Sequence, residues 1–183
     1  MIGTFEPFQK IPRLNRECFI SEKIDGTNAT VYVIHTPEGA TVHAASRNKL
    51  ITIDDDNHGF AKWVKEHEEE LKQLGPGIHR GEWFGPGVNR RSYGLKQKQF
   101  ALFNIGRWNS DNPPPKCCVV VPLLYKGIFS TEKCNELLDD LRKNGSRLDA
   151  NTKAEGIVVY HVAGDLYFKA TCENDESHKG QSE

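Results

Sequence analysis

A lysine, a carboxylate and a glycine lie close together between two strand-like runs in ISEKIDGTNATVYV, residues 20–33. Lys23 ends the first run, and an amine becomes a nucleophile when burial or neighbouring positive charge lowers its pKa. Gly26 lets a backbone or a ligand approach closely, and Thr27 and Asn28 add short polar groups suited to orient a phosphate or a hydrated metal. A lysine near an aspartate in a turn is most often a solvated surface pair, so the segment alone leaves both interpretations open.

The composition predicts one globular domain with a real core, because the chain has 183 residues and 37% hydrophobic content. Lysine plus arginine (24) almost balance aspartate plus glutamate (25). No whole-molecule positive field therefore attracts nucleic acid or an anionic membrane, and a polyanion must bind through a local basic patch. The absence of a signal peptide and of an apolar stretch of ~20 residues predicts a cytoplasmic protein with no membrane partner.

The cysteines and histidines do not indicate a metal centre. The five cysteines are odd in number and lack CxxC spacing, so free thiols in a reducing compartment are expected. The seven histidines show neither HxH nor HExxH spacing. A zinc site or a histidine-based metal centre is therefore not expected.

Hydrophobic periodicity predicts an α+β fold with mainly antiparallel sheet. Runs rich in Val, Ile, Thr and Tyr predict strands at 17–21, 28–36, 40–46, 78–84, 99–106, 119–124, 155–162 and 165–171. A 3.6-residue period predicts a surface helix within Gly59–Gly75, ended by Gly75-Pro76. A second helix is expected after Ser130 or Thr131 as the N-cap, with Gly145 as its end.

The stretch EKIDGTN, Glu22 to Asn28, resembles motif I of the covalent nucleotidyltransferases, the superfamily of ATP-dependent ligases and mRNA capping enzymes. The glutamate before the lysine and the Thr-Asn pair after the glycine are most similar to the RNA ligase 2-like branch. The resemblance implies that Lys23 bonds covalently to the nucleotide and that Glu22 accepts a hydrogen bond from the adenine amino group. It also places Ile24 and Asn28 in the nucleotide pocket.

Further stretches resemble later motifs of this superfamily. ASRN supplies Arg47 for the phosphate or the RNA end, GEWFG supplies Glu82 for the ribose, and FALFNIGRW supplies Phe103 to stack on adenine. AEGIVVY supplies Glu155, and LYFKAT supplies Lys169 to bind the α-phosphate. Each side chain alone could be an ordinary core or surface residue. The ordered set, which covers residues 22–171, is specific.

The resemblance implies an α+β nucleotidyltransferase fold, an ATP-grasp-like adenylation domain with mainly antiparallel sheets and flanking helices. This domain is expected over residues 1–172, followed by a polar tail at 173–183 and no OB-fold or C-terminal domain. Lys23, Glu155 and Lys169 are the implied catalytic residues. The expected cofactors are ATP, with AMP attached covalently to the lysine, and Mg²⁺ or Mn²⁺ held through water by Asp25, Glu82 and Glu155.

The implied partner is RNA with 5′-phosphate and 3′-OH ends. A basic segment, GVNRRSYGLKQKQF, fits phosphate contacts and base stacking through Arg90, Arg91, Lys96, Lys98 and Tyr93, and Arg47 and Lys49 add to it. A solubilising basic loop is an equal alternative. Without a C-terminal domain, efficient sealing is expected to require a separate protein or domain that recognises the ends.

One position departs from the superfamily pattern and keeps two alternatives open. Thr171 stands where a second motif V lysine is usual, so stabilisation of the α-phosphate is expected to be weaker or supplied elsewhere, for example by Lys179. A DNA ligase core would perform the same adenylylation and would differ in its substrate preference. A non-catalytic module that binds nucleotide or RNA would keep the fold and lose the chemistry.

Overall fold

Two sheets form the framework of the computed structural model, which describes residue 4 and residues 6–173. The strands in chain order are β1 (Glu17–Lys23), β2 (Gly26–Thr36), β3 (Gly39–Ala45), β4 (Leu50–Ile51), β5 (Gly77–Phe84), β6 (Gln99–Leu102), β7 (Cys118–Val120), β8 (Leu123–Ile128), β9 (Gly156–His161) and β10 (Leu166–Thr171). The helices are α1 (Phe60–Glu66), α2 (Glu68–Leu71) and α3 (Thr131–Asn144), with short 3₁₀ turns at Lys72–Leu74 and Val162–Gly164.

The strand orders confirm the expected α+β fold with mainly antiparallel sheet. One sheet has the order β10-β9-β1-β8 and the other β4-β3-β2-β5-β6-β7. Only the β6–β7 pair is parallel among the pairings of the described strands. The helix α3 covers one face of the smaller sheet, and α1 and α2 cover one face of the larger sheet.

Two predicted elements are divided in the structure. The single helix expected over 59–75 is interrupted at His67, whose backbone leaves the helical region (φ −110°, ψ 20°). The carbonyl of Trp63 there accepts the backbone N–H of His67, and the His67 ring nitrogen Nδ1 also lies 2.9 Å from it. A side chain that bonds the backbone in this way competes with continuation of the helix.

The run expected as one buried strand at 119–124 is also divided, into β7 and β8, which belong to different sheets. The break falls at Val121 and Pro122, and proline supplies no N–H to continue a ladder. Leu123 is 49% exposed, so the second half of the run is not buried. The strand expected at 99–106 ends at Leu102, and a turn follows.

The chain crosses between the sheets at two neighbouring places. Ile24 and Asp25 link β1 to β2, and Val121 and Pro122 link β7 to β8. The two crossings are tied together, because the N–H of Glu22 donates to the carbonyl of Pro122 at 2.9 Å. Ile24 and Val121 share one buried apolar cluster. Lys23 therefore ends its strand at the junction of the two sheets.

Close packing of two strands at this junction requires glycine. A Cβ at Gly26 would meet the carbonyl oxygen of Trp83 and would lie 2.8 Å from Cγ of Glu82 on β5. The glycine beside Lys23 thus allows β5 to pack against the start of β2, which brings a carboxylate towards the end of β1.

Candidate active site

Lys23 forms an ion pair with Glu155 in a sheltered position. Because Lys23 pairs with Gly156 across β1 and β9, its side chain lies beside the carboxylate that precedes β9. Nζ of Lys23 is 2.7 Å from Oε2 of Glu155, and the two side chains are 18% and 9% exposed. The amine is therefore close to the acidic partner that the motifs implied, and it does not extend into bulk solvent.

Glu82 brings a second buried carboxylate to the same junction from the other sheet. It lies directly opposite Asn28 across β5 and β2, and Nδ2 of Asn28 donates to its Oε2 at 3.2 Å. Oδ1 of Asn28 accepts from Nε of Arg47 at 3.2 Å. Asn28 thus connects the exposed arginine to the buried carboxylate, and three residues predicted separately form one network.

Burial raises the pKa of Glu82 from its ordinary 4.5 to about 7. The hydrogen bond from Asn28 and the positive charge of Lys23 act in the opposite direction, whereas the charges of Glu155 and Asp25 raise the pKa further. Glu82 is thus surrounded by the other charged groups of the junction. Both of its charge states are therefore populated near neutral pH.

The raised pKa of Glu82 predicts a specific dependence of stability on pH. Below about pH 4.5 the carboxyl is protonated in both states; between 4.5 and 7 the unfolded chain releases the proton first, so stability falls as the pH rises. Glu82→Gln should remove this loss, so that the variant gains up to about 3 kcal/mol relative to wild type across that range. Urea unfolding at a series of pH values measures it.

The exposed Glu66→Gln is the matched control for this measurement, because Glu66 lies on the surface of α1. Its stability curve should run parallel to that of the wild type. Parallel curves for wild type and Glu82→Gln would contradict the assignment of the titrating group.

Asp25 fastens the loop at 86–95 to the junction. Its carboxylate, in a residue that is only 5% exposed, accepts from Nδ2 of Asn89 at 3.0 Å and from Nη1 of Arg91 at 2.9 Å. Its backbone N–H donates to the hydroxyl of Tyr93 at 2.6 Å. Nε of Arg91 also donates to the carbonyl of Lys153. The sequence predicted that Asp25 holds a metal ion, and that role stays a prediction. In the structure both oxygens of its carboxylate accept hydrogen bonds from side chains.

The same contacts correct part of the predicted RNA-binding segment. Tyr93 is 2% exposed and packs edge-on against Phe84, so the prediction that its ring stacks on bases is wrong. Arg91 bonds to Asp25, and Nζ of Lys98 donates to the carbonyl of His58 at 2.6 Å. Sequence reasoning missed this anchoring role, because the partners are distant in the chain. Arg90 and Lys96 are exposed, as a surface that binds phosphate requires.

Glu22 is a buried carboxylate with one hydrogen-bonded oxygen. Its Oε2 accepts from the backbone N–H of Arg147 at 2.8 Å. Its Oε1 is buried and has no hydrogen-bond partner within the described residues. Burial raises the pKa of Glu22, and the Ser146 hydroxyl and the Arg147 N–H oppose that effect. A buried acceptor without a donor suits a ligand that brings one.

Ile24 and Phe103 belong to the apolar cluster between the sheets. Ile24 is 4% exposed, and Phe103 is partly buried against the same cluster. Phe103 lies just beyond β6, where its N–H donates to the carbonyl of Arg80. The structure brings both predicted pocket residues to one apolar surface.

Lys169 lies on the same face of the smaller sheet as Lys23. Thr171, Gly156 and Lys23 are aligned across β10, β9 and β1, and Lys169 is two residues from Thr171, so strand alternation directs both lysines to one side. Lys169 is exposed. The hydroxyl of Thr171 donates to the carbonyl of Glu173 at 2.8 Å. The predicted substitute Lys179 and the tail from residue 174 lie outside the described residues.

Three carboxylates and a lysine therefore meet at the junction without forming a metal cage. Within residue 4 and residues 6–173, no group of three His, Cys, Asp or Glu side chains is arranged to hold a metal ion. All five cysteines are free thiols. None of the helices in the described part of the chain is long and apolar enough to cross a membrane.

The two-sheet α+β fold, with Lys23 at the sheet junction, matches the nucleotidyltransferase fold of solved RNA ligases. The model of the RNA ligase family matches residues 16–171, and the chain belongs to that family. No curated protein matches the sequence significantly.

Solved structures of Naegleria gruberi RNA ligase share the fold. A mutant with ATP and Mn is 20% identical, with a TM-score of 0.65 over 87% of this chain and 51% of that chain. The ligase with PPi is 21% identical, with a TM-score of 0.60 over 93% and 57%. A mutant with AMP and Mn is 21% identical, with a TM-score of 0.61 over 91% and 53%. The chain thus spans about half the length of these solved chains.

Proposed function

We propose that this chain is the core of an ATP-dependent RNA ligase and that Lys23 carries AMP as a covalent intermediate. The single observation that carries the proposal is the sheltered Lys23–Glu155 pair, at 2.7 Å, beside the buried carboxylate of Glu82. Membership of the RNA ligase family supports the substrate class. ATP with Mn or AMP with Mn in solved relatives supports the choice of nucleotide and metal.

In the first step Nζ of Lys23, after losing a proton, attacks the α-phosphorus of ATP. A phosphorus–nitrogen bond forms, and the bond to pyrophosphate breaks. The barrier is mainly electrostatic, because an amine must approach a chain of negative phosphates. Lys169, on the same face of the sheet, supplies positive charge for the α-phosphate oxygens.

In the next two steps AMP moves to RNA and is then displaced. An oxygen of the RNA 5′-phosphate attacks the adenylyl phosphorus, and the phosphorus–nitrogen bond breaks. A 3′-OH then attacks the activated 5′-phosphate, releases AMP and forms the phosphodiester. A domain or partner that recognises the RNA ends belongs to this proposal.

We assign the nucleotide pocket to residues whose side chains could bind the base, the sugar or the phosphates. The unpartnered Oε1 of Glu22 accepts a hydrogen bond from the adenine amino group, which favours ATP over GTP. Phe103 stacks on the base from the apolar cluster, with Ile24 behind it. The Arg47–Asn28 pair contacts sugar or phosphate. Residues 1–172 form the adenylation domain.

The residues present also fit a divalent metal. Mg²⁺ or Mn²⁺ keeps several waters, and Glu82 and Glu155, with Asp25 behind them, would hold it through those waters. Such an ion would neutralise phosphate charge during the first step.

The test is incubation with ATP labelled at the α-phosphorus, with Mg²⁺ or Mn²⁺, followed by denaturing electrophoresis. The proposal expects label on the protein that is sensitive to acid and hydroxylamine, and none from ATP labelled at the γ-phosphorus. Addition of 5′-phosphorylated RNA should discharge the label, whereas a DNA ligase core would discharge it with nicked DNA instead. A protein that binds ATP without becoming labelled is a non-catalytic module and contradicts the proposal.

A further inference from the structure

A row of aromatic side chains crosses the smaller sheet on the face that carries Lys23. The strand registers align Tyr167 with Tyr160, Tyr160 with Phe19, and Phe19 with Lys126. The four residues therefore lie side by side across β10, β9, β1 and β8. We call Tyr167, Tyr160 and Phe19 the aromatic row.

Contacts within the aromatic row keep its rings ordered. The rings of Tyr160 and Tyr167 stack, with centroids 4.7 Å apart and planes at 29°. Nζ of Lys126 lies 5.0 Å from the centroid of the Phe19 ring. The hydroxyl of Tyr160 donates to Asp165 at 2.9 Å. Tyr167 nevertheless remains 62% exposed, although its partner in the stack is half-buried.

Positive charges flank the aromatic row. Lys126 lies at one end of it, loosely paired with Glu17 at 3.9 Å, and Lys169 lies two residues from Tyr167 on the same face. Burial and the Asp165 carboxylate raise the pKa of Tyr167, whereas the Arg80 guanidinium of the larger sheet lowers it. Exposed rings interleaved with cations are the composition of a surface that stacks bases and neutralises phosphates.

The position of the row relates it to the proposed reaction. Phe19 and Lys23 are four residues apart on β1 and point to the same side, so the row lies about 13 Å from the lysine along the strand. That is far enough to lie outside the adenylylation site and close enough for the same RNA strand to reach both.

We infer that the aromatic row is a binding site for single-stranded RNA in which an unpaired nucleobase stacks on Tyr167. Sheets that present aromatic side chains on an open face recognise single-stranded RNA in this way in other folds. The inference rests on the proposed function for its choice of RNA. An apolar polypeptide partner is less well matched, because Lys126 and Lys169 lie on the same face of the sheet as the rings.

The chain offers a matched pair of variants for the test. Tyr167 and Phe168 are neighbours on β10 with 62% and 53% exposure, and they point to opposite faces of the sheet. Tyr167→Leu removes the stacking ring while keeping an apolar side chain, and Phe168→Leu makes the equivalent change on the other face. Tyr167→Phe keeps the ring and removes only the hydroxyl.

The measurement is the fluorescence anisotropy of a labelled, 5′-phosphorylated oligouridylate, titrated with the full chain in the absence of ATP. Tyr167→Leu should raise Kd about fivefold or more, because one base–aromatic stack is lost. Tyr167→Phe and Phe168→Leu should bind as the wild type does. Circular dichroism checks that each variant is folded, and ultraviolet crosslinking of a thiouridine-containing oligonucleotide should label Tyr167 or Tyr160.

Equal binding by wild type and Tyr167→Leu, or an equal loss in Phe168→Leu, overturns the inference. Labelling by ATP in the absence of RNA tests the proposed function independently of this inference. In that assay Tyr167→Leu should be labelled as the wild type is. A wild type that is labelled by ATP but does not bind the oligonucleotide overturns the inference alone. A wild type that binds RNA through Tyr167 and is not labelled overturns the proposed function alone.

Discussion

Replacing Lys23 by alanine is expected to abolish the covalent label from ATP, with a loss of about a thousandfold or more, because Lys23 is the proposed nucleophile. Lys169 shares the sheet face, but it lies two strands away and is exposed. Lys23→Arg should be equally inactive, since a guanidinium does not release its proton at accessible pH. The rate of label incorporation on denaturing gels measures both variants.

Lys153→Ala is the matched control for the Lys23 substitutions. Lys153 lies two residues before Glu155, but its side chain is 85% exposed and forms an ion pair with the surface carboxylate of Glu173. This variant should incorporate label as the wild type does. Lys23→Ala should still bind ATP, as measured by calorimetry. Label retained by folded Lys23→Ala would show that another residue is the nucleophile.

The second large effect is expected from Glu155→Gln, which should slow label incorporation by about a hundredfold or more. Glutamine keeps the shape of the side chain but removes the charge that holds the Lys23 ammonium at 2.7 Å. Removal of one positioned electrostatic group from a water-excluded site typically costs ~10²–10³ in rate. Single-turnover kinetics at saturating ATP measures the effect on the chemical step, separately from ATP binding.

Glu173→Gln is the control for Glu155→Gln. Glu173 is an exposed carboxylate near the same strand ends, and its side chain pairs only weakly with Lys153, at 3.5 Å. Its rate should match that of the wild type. A Glu155→Gln variant that is fully active at every metal concentration would contradict the role given to the ion pair. Thermal unfolding of both variants tests whether a lower rate merely reflects a lower stability.

The hydrogen bond from Arg91 to Asp25 gives the aspartate that follows Lys23 a structural role that requires no metal. Arg91 bonds to the Asp25 carboxylate and to the carbonyl of Lys153, so it connects the segment after Lys23 with the segment before Glu155. Tyr93 closes the same loop by accepting the N–H of Asp25. Part of the basic segment that was predicted to bind RNA therefore holds the residues around Lys23 and Glu155 in position.

The sequence by itself determined most of the local elements and the identity of the chemical groups. Ser130 caps α3, as expected, by accepting from the N–H of Lys133 at 3.1 Å. The first strand, expected at 17–21, extends in the structure to Lys23, and the family resemblance rests on short motifs in a fixed order. Such features depend on periodicity and on neighbouring residues, which a linear pattern contains.

Only the tertiary structure decided which groups meet. The Lys23–Glu155 contact depends on the register of β1 against β9, and the Asn28–Glu82 contact depends on that of β2 against β5. The burial of Tyr93 and the assignment of β7 and β8 to different sheets depend on two sheets meeting there. Register and burial arise from pairing between distant segments, and one residue's shift in register would turn a side chain to the other face.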